Sequence, residues 1–545
     1  MNKKTIDTAQ NYIKEEYKSF LLLALAAFLY TLGFPNILSI LIPITPIIGT
    51  AILLFHLFKD ISTKQRIAYY LFYNSVINAL SFYWITNTLQ EFGNLPFIVA
   101  AIMNSAYALI LNPQYFFLIA LLHIINKYHS SYNKYIFTSG LFTAALAAFL
   151  TSLEYFIPQQ FPVMLGQPWI IFSEYLGAAA FLGLPVFSFM SYLLGAELVS
   201  GFRNKHISLI NLLSILIFIF VNPFLIPQER SNSPKVDFNV RLVQANISNF
   251  LKVDSETGGY ASVKQVLSRY DKLSIKSFGK DEQMDLIVWP ETAYPYPVHT
   301  NKADLKMSLI PNIFAQIINR TNSSLFIGGY DHFRDNPKGH YYKTEYNAGM
   351  YINRRAELED VYHKHVLIPF GETLPLGPLN EWASTKLPEM AFFAEGSDFP
   401  LIKTEKGVKF ISSICYEILR PEFFRSYLNS LDQRPHLMIN LTNDSWYGNT
   451  VEPEQHLFLA RWRAIEFRIP ILRSTNTGIS TYILENGQEH SRLAYGETGN
   501  LDLKLNFKKQ TDIKTQTFYQ YLGFLGILPL WLSYFIFHII LIRLK

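Results

Sequence analysis

Three reactive side chains stand out in the second half of the chain, and two of them follow apolar runs that predict β-strands. Glu291 follows the run 286–288, Lys364 lies between two histidines, and Cys415 directly follows the run 408–414. A thiolate can attack a carbonyl carbon, a carboxylate can carry the proton, and an ammonium group can stabilise the oxyanion. Together, these three residues predict thiol-based acyl transfer.

Each of the three side chains has a simpler interpretation when it is considered alone. Glu291 would be a loop acid, Lys364 would keep its ammonium in water above an apolar stem, and Cys415 would be a small buried residue. Cys415 also lies before a predicted helix near Pro421. At such a turn, the N–H groups of a helix N-terminus favour the thiolate.

The elements that must position these residues alternate between strands and helices. Apolar runs predict seven strands at 240–243, 286–288, 325–327, 349–352, 408–414, 437–441 and 471–473. The apolar pattern of 455–467 predicts a mostly buried helix, and Asn486-Gly487 predicts a hairpin turn. This alternation favours a layered α/β fold in the second half of the chain.

Charge is distributed unevenly along the 545 residues. Only 19 of the 89 Asp, Glu, Lys and Arg side chains lie in residues 1–227. We therefore predict a membrane domain at 1–227, a water-soluble domain at 228–515 and a final membrane helix with a tail at 516–545. The net charge of +5 gives little support for a nucleic-acid partner, and the single cysteine excludes a disulfide scaffold.

Eight apolar segments predict a multi-pass α-helical membrane domain with eight spans. They lie at about 19–34, 37–58, 67–89, 96–125, 135–157, 172–199, 207–226 and 518–542. Most reach the roughly 20 residues that cross a hydrocarbon core of about 30 Å. Glu154, Glu174 and Glu197 lie near predicted span ends, where we expect interfacial water to solvate them.

The positive charges of the short loops predict the orientation of the spans. Thirteen Lys and Arg residues fall in the N-terminal tail, in alternate loops and at the C-terminus, and the other short loops contain none. Because cytoplasmic loops carry the excess of such residues, we expect both termini in the cytoplasm. After seven crossings, the domain 228–515 is expected outside the cytoplasm.

A series of motifs runs through the soluble part in a fixed order. These are VQANI from Val243, WPET around Glu291, YHK ending at Lys364, PFGE ending at Glu372, ICYE around Cys415, NLTNDSWYG from Asn440, Gln455-His456, RWRAIE from Arg461 and RSTNTGIS from Arg473. In these motifs the soluble part resembles the nitrilase (carbon–nitrogen hydrolase) superfamily, and the whole chain resembles the apolipoprotein N-acyltransferase family. The resemblance implies an α/β nitrilase-like αββα sandwich in an enzyme of the bacterial inner membrane, with the sandwich in the periplasm.

The resemblance also implies a reaction with two half-reactions. An acyl chain would pass from a glycerophospholipid to Cys415 as a thioester. It would then pass to the α-amino group of the diacylglyceryl-modified N-terminal cysteine of an apolipoprotein. Glu291 would move the protons, Lys364 would stabilise the oxyanion, and Glu372 would orient Lys364.

Further residues are expected to support this site or to cover it. Tyr416 and Glu417 follow the nucleophile and are expected to support it. The segment 375–400 is either a lid that dips into the membrane interface or a loop packed on the domain, and its apolar residues are Trp382, Leu387, Met390, Phe392 and Phe393. Ser248 and Val253 stand where the family usually has Pro and Trp, so no substrate-contacting tryptophan is carried over.

Two other functions stay open at this point. A membrane-anchored nitrilase-type amidase would use the same three residues, although a water-soluble amide requires neither eight spans nor an apolar lid. A scaffold or transporter would require none of them. The sequence has no evident metal-ligand cluster or phosphate-binding glycine loop, so we expect no cofactor and no metal. We expect a monomer that works among membrane lipids.

Overall fold

The computed structural model of this chain describes residues 3–91, 93, 95–128, 139–226, 235–277, 283–301, 304–332, 345–369, 371–374, 376–380, 382, 393–508 and 516–543. The chain forms two compact units. The helical unit comprises Met1–Pro227, Thr450–Phe458 and Leu522–Lys545, and the sheet unit comprises Gln228–Asn449 and Leu459–Tyr521.

Helices form most of the helical unit and connect many strands of the sheet unit. In chain order, the helices of the described residues are α1 (Lys3–Thr31), α2 (Thr45–Leu57), α3 (Thr63–Ser81), α4 (Trp84–Glu91), α5 (Phe97–Tyr107), α6 (Pro113–Tyr128), α7 (Gly140–Phe156), α8 (Ala179–Asn204), α9 (Leu209–Val221), α10 (Asn249–Glu256), α11 (Tyr260–Ser274), α12 (Asn312–Thr321), α13 (Pro421–Ser430), α14 (Glu452–Phe467), α15 (Phe518–Leu522) and α16 (Leu528–Arg543).

Serine residues cap the N-termini of three helices of the helical unit. The hydroxyls of Ser62, Ser139 and Ser208 accept hydrogen bonds from N–H groups in the first turns of α3, α7 and α9. These contacts satisfy donors that have no partner within the helix. Each of these serines therefore acts as the start signal of its helix.

Strands form the two sheets of the sheet unit. They are β1 (Lys235–Gln244), β2 (Leu286–Trp289), β3 (Pro297–Val298), β4 (Ser324–His332), β5 (Glu345–Ile352), β6 (Leu358–His363), β7 (Ile402–Lys403), β8 (Lys409–Ile414), β9 (Leu437–Thr442), β10 (Ile471–Thr475), β11 (Ser480–Ile483), β12 (Glu489–Leu493) and β13 (Gly499–Lys508). The first sheet has the order β13-β1-β2-β4-β5-β6, with β3 beside β4, and the second has the order β12-β11-β10-β9-β8-β7.

The strand directions bring two of the predicted reactive residues to one edge of the first sheet. β2 is parallel to β4, whereas β5 is antiparallel both to β4 and to β6. The carboxyl ends of β2 and β6 therefore lie at the same edge. Glu291 follows β2 and Lys364 follows β6. In the second sheet, Cys415 follows β8, which is parallel to β9.

The two sheets pack face to face through aromatic side chains. Phe326 of the first sheet lies 5.1 Å from Phe410 of the second between ring centroids, and Tyr351 lies 6.0 Å from the same ring. On its other face, the first sheet packs against α11 and α12, where Trp289 contacts the rings of Tyr270 and Phe314. This arrangement confirms the α/β fold.

Each of the seven predicted strands overlaps a strand of the structure. The predicted hairpin turn, Asn486-Gly487, lies between β11 and β12. The helix expected at 455–467 is α14. The strand β6 was not predicted, because its sequence LEDVYH contains four charged or titratable side chains and no apolar run. Burial of the parallel central strands on both faces explains why those strands were the easier ones to predict.

Most of the predicted spans correspond to helices that are shorter or broken. Among the described residues, two helical segments, Ala179–Asn204 and Phe518–Ile536, are long and apolar enough to cross a membrane by length and composition. The segment 37–58 contributes the 13-residue α2, and the segment 96–125 divides into α5 and α6. The topology of eight spans therefore stays a prediction.

Two of the three carboxylates at predicted span ends are buried. Glu154 accepts hydrogen bonds from the backbone of Leu165 at 2.7 Å and from the Tyr192 hydroxyl at 2.9 Å. Glu197 accepts from the Asn211 amide at 2.6 Å and from the Ser208 backbone at 2.8 Å. The expectation of interfacial solvation was wrong for Glu154 and Glu197, because protein groups replace water as their hydrogen-bond partners.

The first turns of α14 belong to the helical unit and are held there by Gln455. Its side-chain amide donates to the carbonyl oxygens of Pro35 and Ser81, each at 2.8 Å. Its side-chain oxygen accepts from the indole N–H of Trp84 at 3.0 Å. The Gln455-His456 motif thus has a role in the packing of the helical unit.

Candidate active site

A tight turn after β2 presents Glu291. The N–H groups of Ala293 and Tyr294 donate to the carbonyl oxygen of Gly328 at 2.9 and 3.2 Å. A side chain at Gly328 would lie 2.1 Å from the carbonyl oxygen of Pro290, so only glycine allows this approach. The turn therefore fixes the backbone that carries Glu291.

Lys364 lies between two carboxylates. Its Nζ is 2.7 Å from Oε1 of Glu372 and 3.3 Å from Oε1 of Glu291. The lysine is fully buried, and the two glutamates are less than a tenth exposed. The structure thus brings together three of the predicted residues in a buried ionic cluster.

Asn347 completes this cluster, although no motif in the sequence indicated it. Its Nδ2 donates to Oε1 of Glu291 at 2.8 Å and to Oε1 of Glu372 at 3.2 Å. Its backbone oxygen accepts from the N–H of Lys364 at 2.9 Å. Asn347 therefore joins the β5 backbone to all three members of the cluster.

Opposing effects govern the protonation of the cluster. Burial raises the pKa of Glu291, and the charge of Lys364 opposes that increase. Burial would lower the pKa of Lys364, but the charges of Glu372 and Glu291 outweigh burial and raise it above the ordinary lysine value. Lys364 is therefore a permanent cation at physiological pH.

Cys415 occupies the turn after β8 and lies in the electrostatic field of the cluster. It has a φ of +51° and begins a five-residue 3₁₀ turn, Cys415–Leu419. Burial raises the pKa of its thiol well above the ordinary value, the negative charge of Glu291 raises it further, and Lys364 acts in the opposite direction. The favourable effect of a helix N-terminus on the thiolate stays a prediction, since burial and the charge of Glu291 act against it. Removing the thiol proton requires a base.

Glu417 ties the strand of the nucleophile to the segment after Lys364. Its carboxylate accepts from the N–H of Ile414 at 2.7 Å and the hydroxyl of Tyr362 at 2.6 Å. It also accepts from the N–H groups of His365 at 2.6 Å and Val366 at 3.0 Å. Burial raises its pKa to about 7, against the effect of these hydrogen bonds.

Comparisons with known proteins bear on the family to which this chain belongs. A family model described as carbon–nitrogen hydrolase matches residues 239–517. An apolipoprotein N-acyltransferase of Bdellovibrio bacteriovorus is 32% identical over 428 residues, which cover 76% of this chain and 75% of that protein. The chain belongs to the apolipoprotein N-acyltransferase family. This finding confirms the resemblance that the motifs indicated.

Other similar proteins extend the comparison. An apolipoprotein N-acyltransferase of Haemophilus ducreyi is 26% identical over 443 residues, which cover 77% of this chain and 78% of that protein. The crystal structure of a Saccharomyces cerevisiae member of the nitrilase superfamily covers 49% of this chain and 90% of its own, with 19% identity and a TM-score of 0.37.

Ser248 and Val253 lie at α10. The hydroxyl of Ser248 accepts from the N–H of Leu251 at 3.4 Å and caps the helix. The side chain of Val253 is 45% exposed. Serine is a favourable N-cap residue, so Ser248 begins this helix.

Tyr416 is buried, and its ring contacts the guanidinium of Arg420, which lies 4.6 Å from the ring centroid.

Two described residues of the lid segment lie in different surroundings. Trp382 is 63% exposed. Phe393 is half-buried and stacks on Tyr330 at 5.8 Å, as in the packed alternative for this segment. Leu387, Met390 and Phe392 lie outside the described residues, and the lid stays a prediction.

The two histidines beside Lys364 bind neighbouring side chains. Nε2 of His363 lies 2.7 Å from the carboxylate of Asp331. The ring of His365 stacks on Phe399 with centroids 4.4 Å apart. Both rings therefore belong to the local packing around Lys364.

Proposed function

We propose that this protein transfers an acyl chain from a glycerophospholipid to the N-terminal diacylglyceryl-cysteine of an apolipoprotein. The observation that carries the proposal is the buried cluster of Glu291, Lys364 and Glu372, whose charges act on the thiol of Cys415. The family membership supports the choice of substrates. Glu291, Lys364 and Cys415 form the catalytic triad, and the mechanism is ping-pong.

In the first half-reaction, Cys415 becomes acylated. Its thiol proton passes to Glu291 as the sulfur attacks the ester carbonyl carbon of the phospholipid. The ammonium of Lys364 stabilises the oxyanion of the tetrahedral intermediate. The C–O bond then breaks, Glu291 returns the proton to the leaving alkoxide, and a lysophospholipid departs. A thioester remains on Cys415.

In the second half-reaction, the acceptor amine resolves the thioester. The neutral α-amino group attacks the thioester carbonyl, and Glu291 takes a proton from the nitrogen. Lys364 again faces the oxyanion. The C–S bond breaks, the proton passes from Glu291 to the sulfur, and an amide is released. The site returns to its initial protonation state, so the same residues serve both steps.

The electrostatics of the site suit this order of events. Because burial keeps the thiol of Cys415 neutral, it becomes nucleophilic when a substrate is present and Glu291 accepts its proton. Because Lys364 keeps its charge, it stabilises the oxyanion in both steps. Glu372 makes the shorter contact with Lys364 and holds it in place. Tyr416 and Glu417 support the backbone around the nucleophile.

The same proposal includes the membrane topology. Residues 1–227 contribute seven spans and 516–545 contribute the eighth, so that both termini are cytoplasmic. Residues 228–515 form the periplasmic catalytic domain of a monomer in the inner membrane. The apolar helices and the loop charges support this arrangement. Both substrates carry acyl chains, which explains why a catalytic domain of this fold would be joined to membrane helices.

The mass of Cys415 after incubation with phospholipid tests the proposal. We expect the chain to gain one acyl group as a thioester, and to lose it when a diacylglyceryl-peptide with a free α-amino group is added. E291Q and C415A should gain none. Ammonia release from small amides, without a stable thioester from phospholipid, would instead support the amidase that uses the same triad.

A further inference from the structure

A second buried lysine lies next to the catalytic cluster. Lys252 of α10 is 6% exposed, and its ammonium has three oxygen partners. Nζ donates to the Thr292 hydroxyl at 2.6 Å, to the Thr292 carbonyl oxygen at 3.0 Å and to Oε1 of Glu256 at 2.5 Å. Three partners match the three N–H bonds of an ammonium group, so its donor capacity is used completely.

Thr292 needs such support because of its backbone conformation. It follows Glu291 directly and has a φ of +45°. β-Branched residues rarely adopt this left-handed region, and such strain persists only when the surroundings hold the residue in place. Lys252 binds both the side-chain and the backbone oxygen of Thr292. The conformation that directs Glu291 toward Lys364 is therefore held by Lys252.

Glu256 and Tyr330 in turn hold Lys252. The carboxylate oxygen of Glu256 that binds Lys252 also accepts from the Tyr330 hydroxyl at 2.7 Å. The ring of Tyr330 lies with its centroid 5.9 Å from Nζ, within range of a cation–π contact. A buried ammonium requires a neutralising partner, and Glu256 supplies one. The arrangement leaves Lys252 a single position relative to Thr292.

We propose that Lys252 is a positioning residue that acts on the general base Glu291 through Thr292. The inference rests on the proposed function of Glu291. Lys252 also has an electrostatic effect, since its charge opposes the increase in the pKa of Glu291. The other charged or titratable groups that face Glu291 are Lys364, Glu372 and Cys415. Lys252 is the one among them that binds the backbone of Thr292, the residue after Glu291.

The variant K252M, made in the full chain, tests this role. It keeps most of the apolar stem and removes the ammonium. At saturating phospholipid, we expect acylation of Cys415 to slow by about 10- to 100-fold with little change in KM, because the base is misaligned. The acidic limb of the pH–rate profile should move to higher pH. Wild-type rate and an unchanged limb would overturn the inference.

A second lysine provides a matched control. Lys406 also binds a carboxylate and a backbone oxygen, at 2.8 Å from Asp285 and 3.1 Å from Asp237, at the other end of β2. K406M should acylate Cys415 at the wild-type rate. A loss as large as that of K252M would show a general effect of losing a lysine contact and would overturn the specific role.

Replacing Thr292 by glycine tests whether Lys252 acts through this residue. Glycine adopts a positive φ without strain, so T292G makes support by Lys252 less necessary. We expect K252M to reduce acylation several-fold less in the T292G background than in the wild type, as a double-mutant cycle can measure. Equal reductions in both backgrounds would show that Lys252 does not act through Thr292.

A crystal structure of K252M tests the inference without any substrate. Thr292 is expected to leave the left-handed region, and the Glu291 carboxylate to move away from Lys364. An unchanged turn would overturn the inference. Failure of the wild-type chain to become acylated would instead refute the proposed function, while the structure of K252M would still decide the role of Lys252.

Discussion

The ammonium of Lys364 lies 2.7 Å from the carboxylate of Glu372, and this is its shortest contact in the described cluster. The contact with Glu291 is longer, at 3.3 Å. In the proposed mechanism, Glu372 holds the cation and Glu291 exchanges a proton with Cys415. The difference between the two distances from Lys364 supports this division of roles.

E372Q is expected to slow acylation of Cys415 by about tenfold or more. A neutral amide attracts the ammonium less, so Lys364 should move toward Glu291 and reduce its strength as a base. Time-resolved mass measurement of the acylated chain gives the rate. E422Q, at an exposed position of α13, is the control and should retain the wild-type rate. A wild-type rate for E372Q would contradict this role.

E417A is expected to destabilise the folded sheet unit. Removing the carboxylate takes the acceptor from buried donors of Tyr362 and Ile414 and from part-buried N–H groups of His365 and Val366. Each loss costs about 1–3 kcal/mol, so a total of several kcal/mol is expected.

Urea unfolding followed by fluorescence measures the effect of E417A on the free energy of unfolding. The matched control is E422A, which removes an exposed ion pair with Arg425 and should cost less than about 1 kcal/mol. Equal stabilities of E417A and the wild type would show that Glu417 does not hold the two segments together.

The acylation rate is expected to rise with pH through the titration of Glu291. The active form is the carboxylate, and burial raises the pKa of Glu291. A higher pKa means that the carboxylate is lost at a higher pH on acidification. The acidic limb should therefore lie above the value of about 4.3 for an exposed glutamate. A pH–rate profile of Cys415 acylation measures this limb.

No alkaline loss of activity from Lys364 is expected below its ordinary pKa of about 10.4, because the neighbouring carboxylates raise the pKa of Lys364 further. The two limbs of the profile thus report on different residues. An acidic limb at the value of exposed glutamate would contradict the proposed environment of Glu291.

Replacing Phe392 and Phe393 together by serine is expected to slow phospholipid turnover several-fold while the chain stays folded. In the described part of this segment, Phe393 stacks on Tyr330, and its N–H donates to the carbonyl oxygen of Glu372 at 3.2 Å. Loss of the ring removes apolar contact area near the site. Turnover of fluorescent phospholipid, with thermal unfolding as the folding control, tests the lid hypothesis. Unchanged turnover would refute it.

A reporter enzyme fused near residue 230 tests the predicted orientation. Seven crossings from a cytoplasmic N-terminus place this position outside the cytoplasm. An alkaline phosphatase fusion should therefore be active there, and a fusion at residue 60 should be inactive. The reverse pattern would overturn the topology.

The strands and the nucleophile illustrate what could be predicted from local patterns. The runs that became β2, β4, β8, β9 and β10 are apolar because parallel strands are buried on both faces. The turns that follow β2 and β8 then carry Glu291 and Cys415. The strand β6 lacked that signal, although it positions Lys364. The spans were harder to predict, since an apolar segment does not specify where a helix breaks.

The sequence by itself determined which residue types can react, the order of the motifs and the family to which the chain belongs. Only the tertiary structure decided how those residues act on one another. Asn347 and Glu291 are 56 positions apart, and Lys252 and Thr292 are 40 apart, yet both pairs form hydrogen bonds. The direction of the pKa shift of the Cys415 thiol also depends on burial and on charges that folding brings close. Contacts between distant positions leave no local pattern in the sequence, because they arise when the sheets assemble.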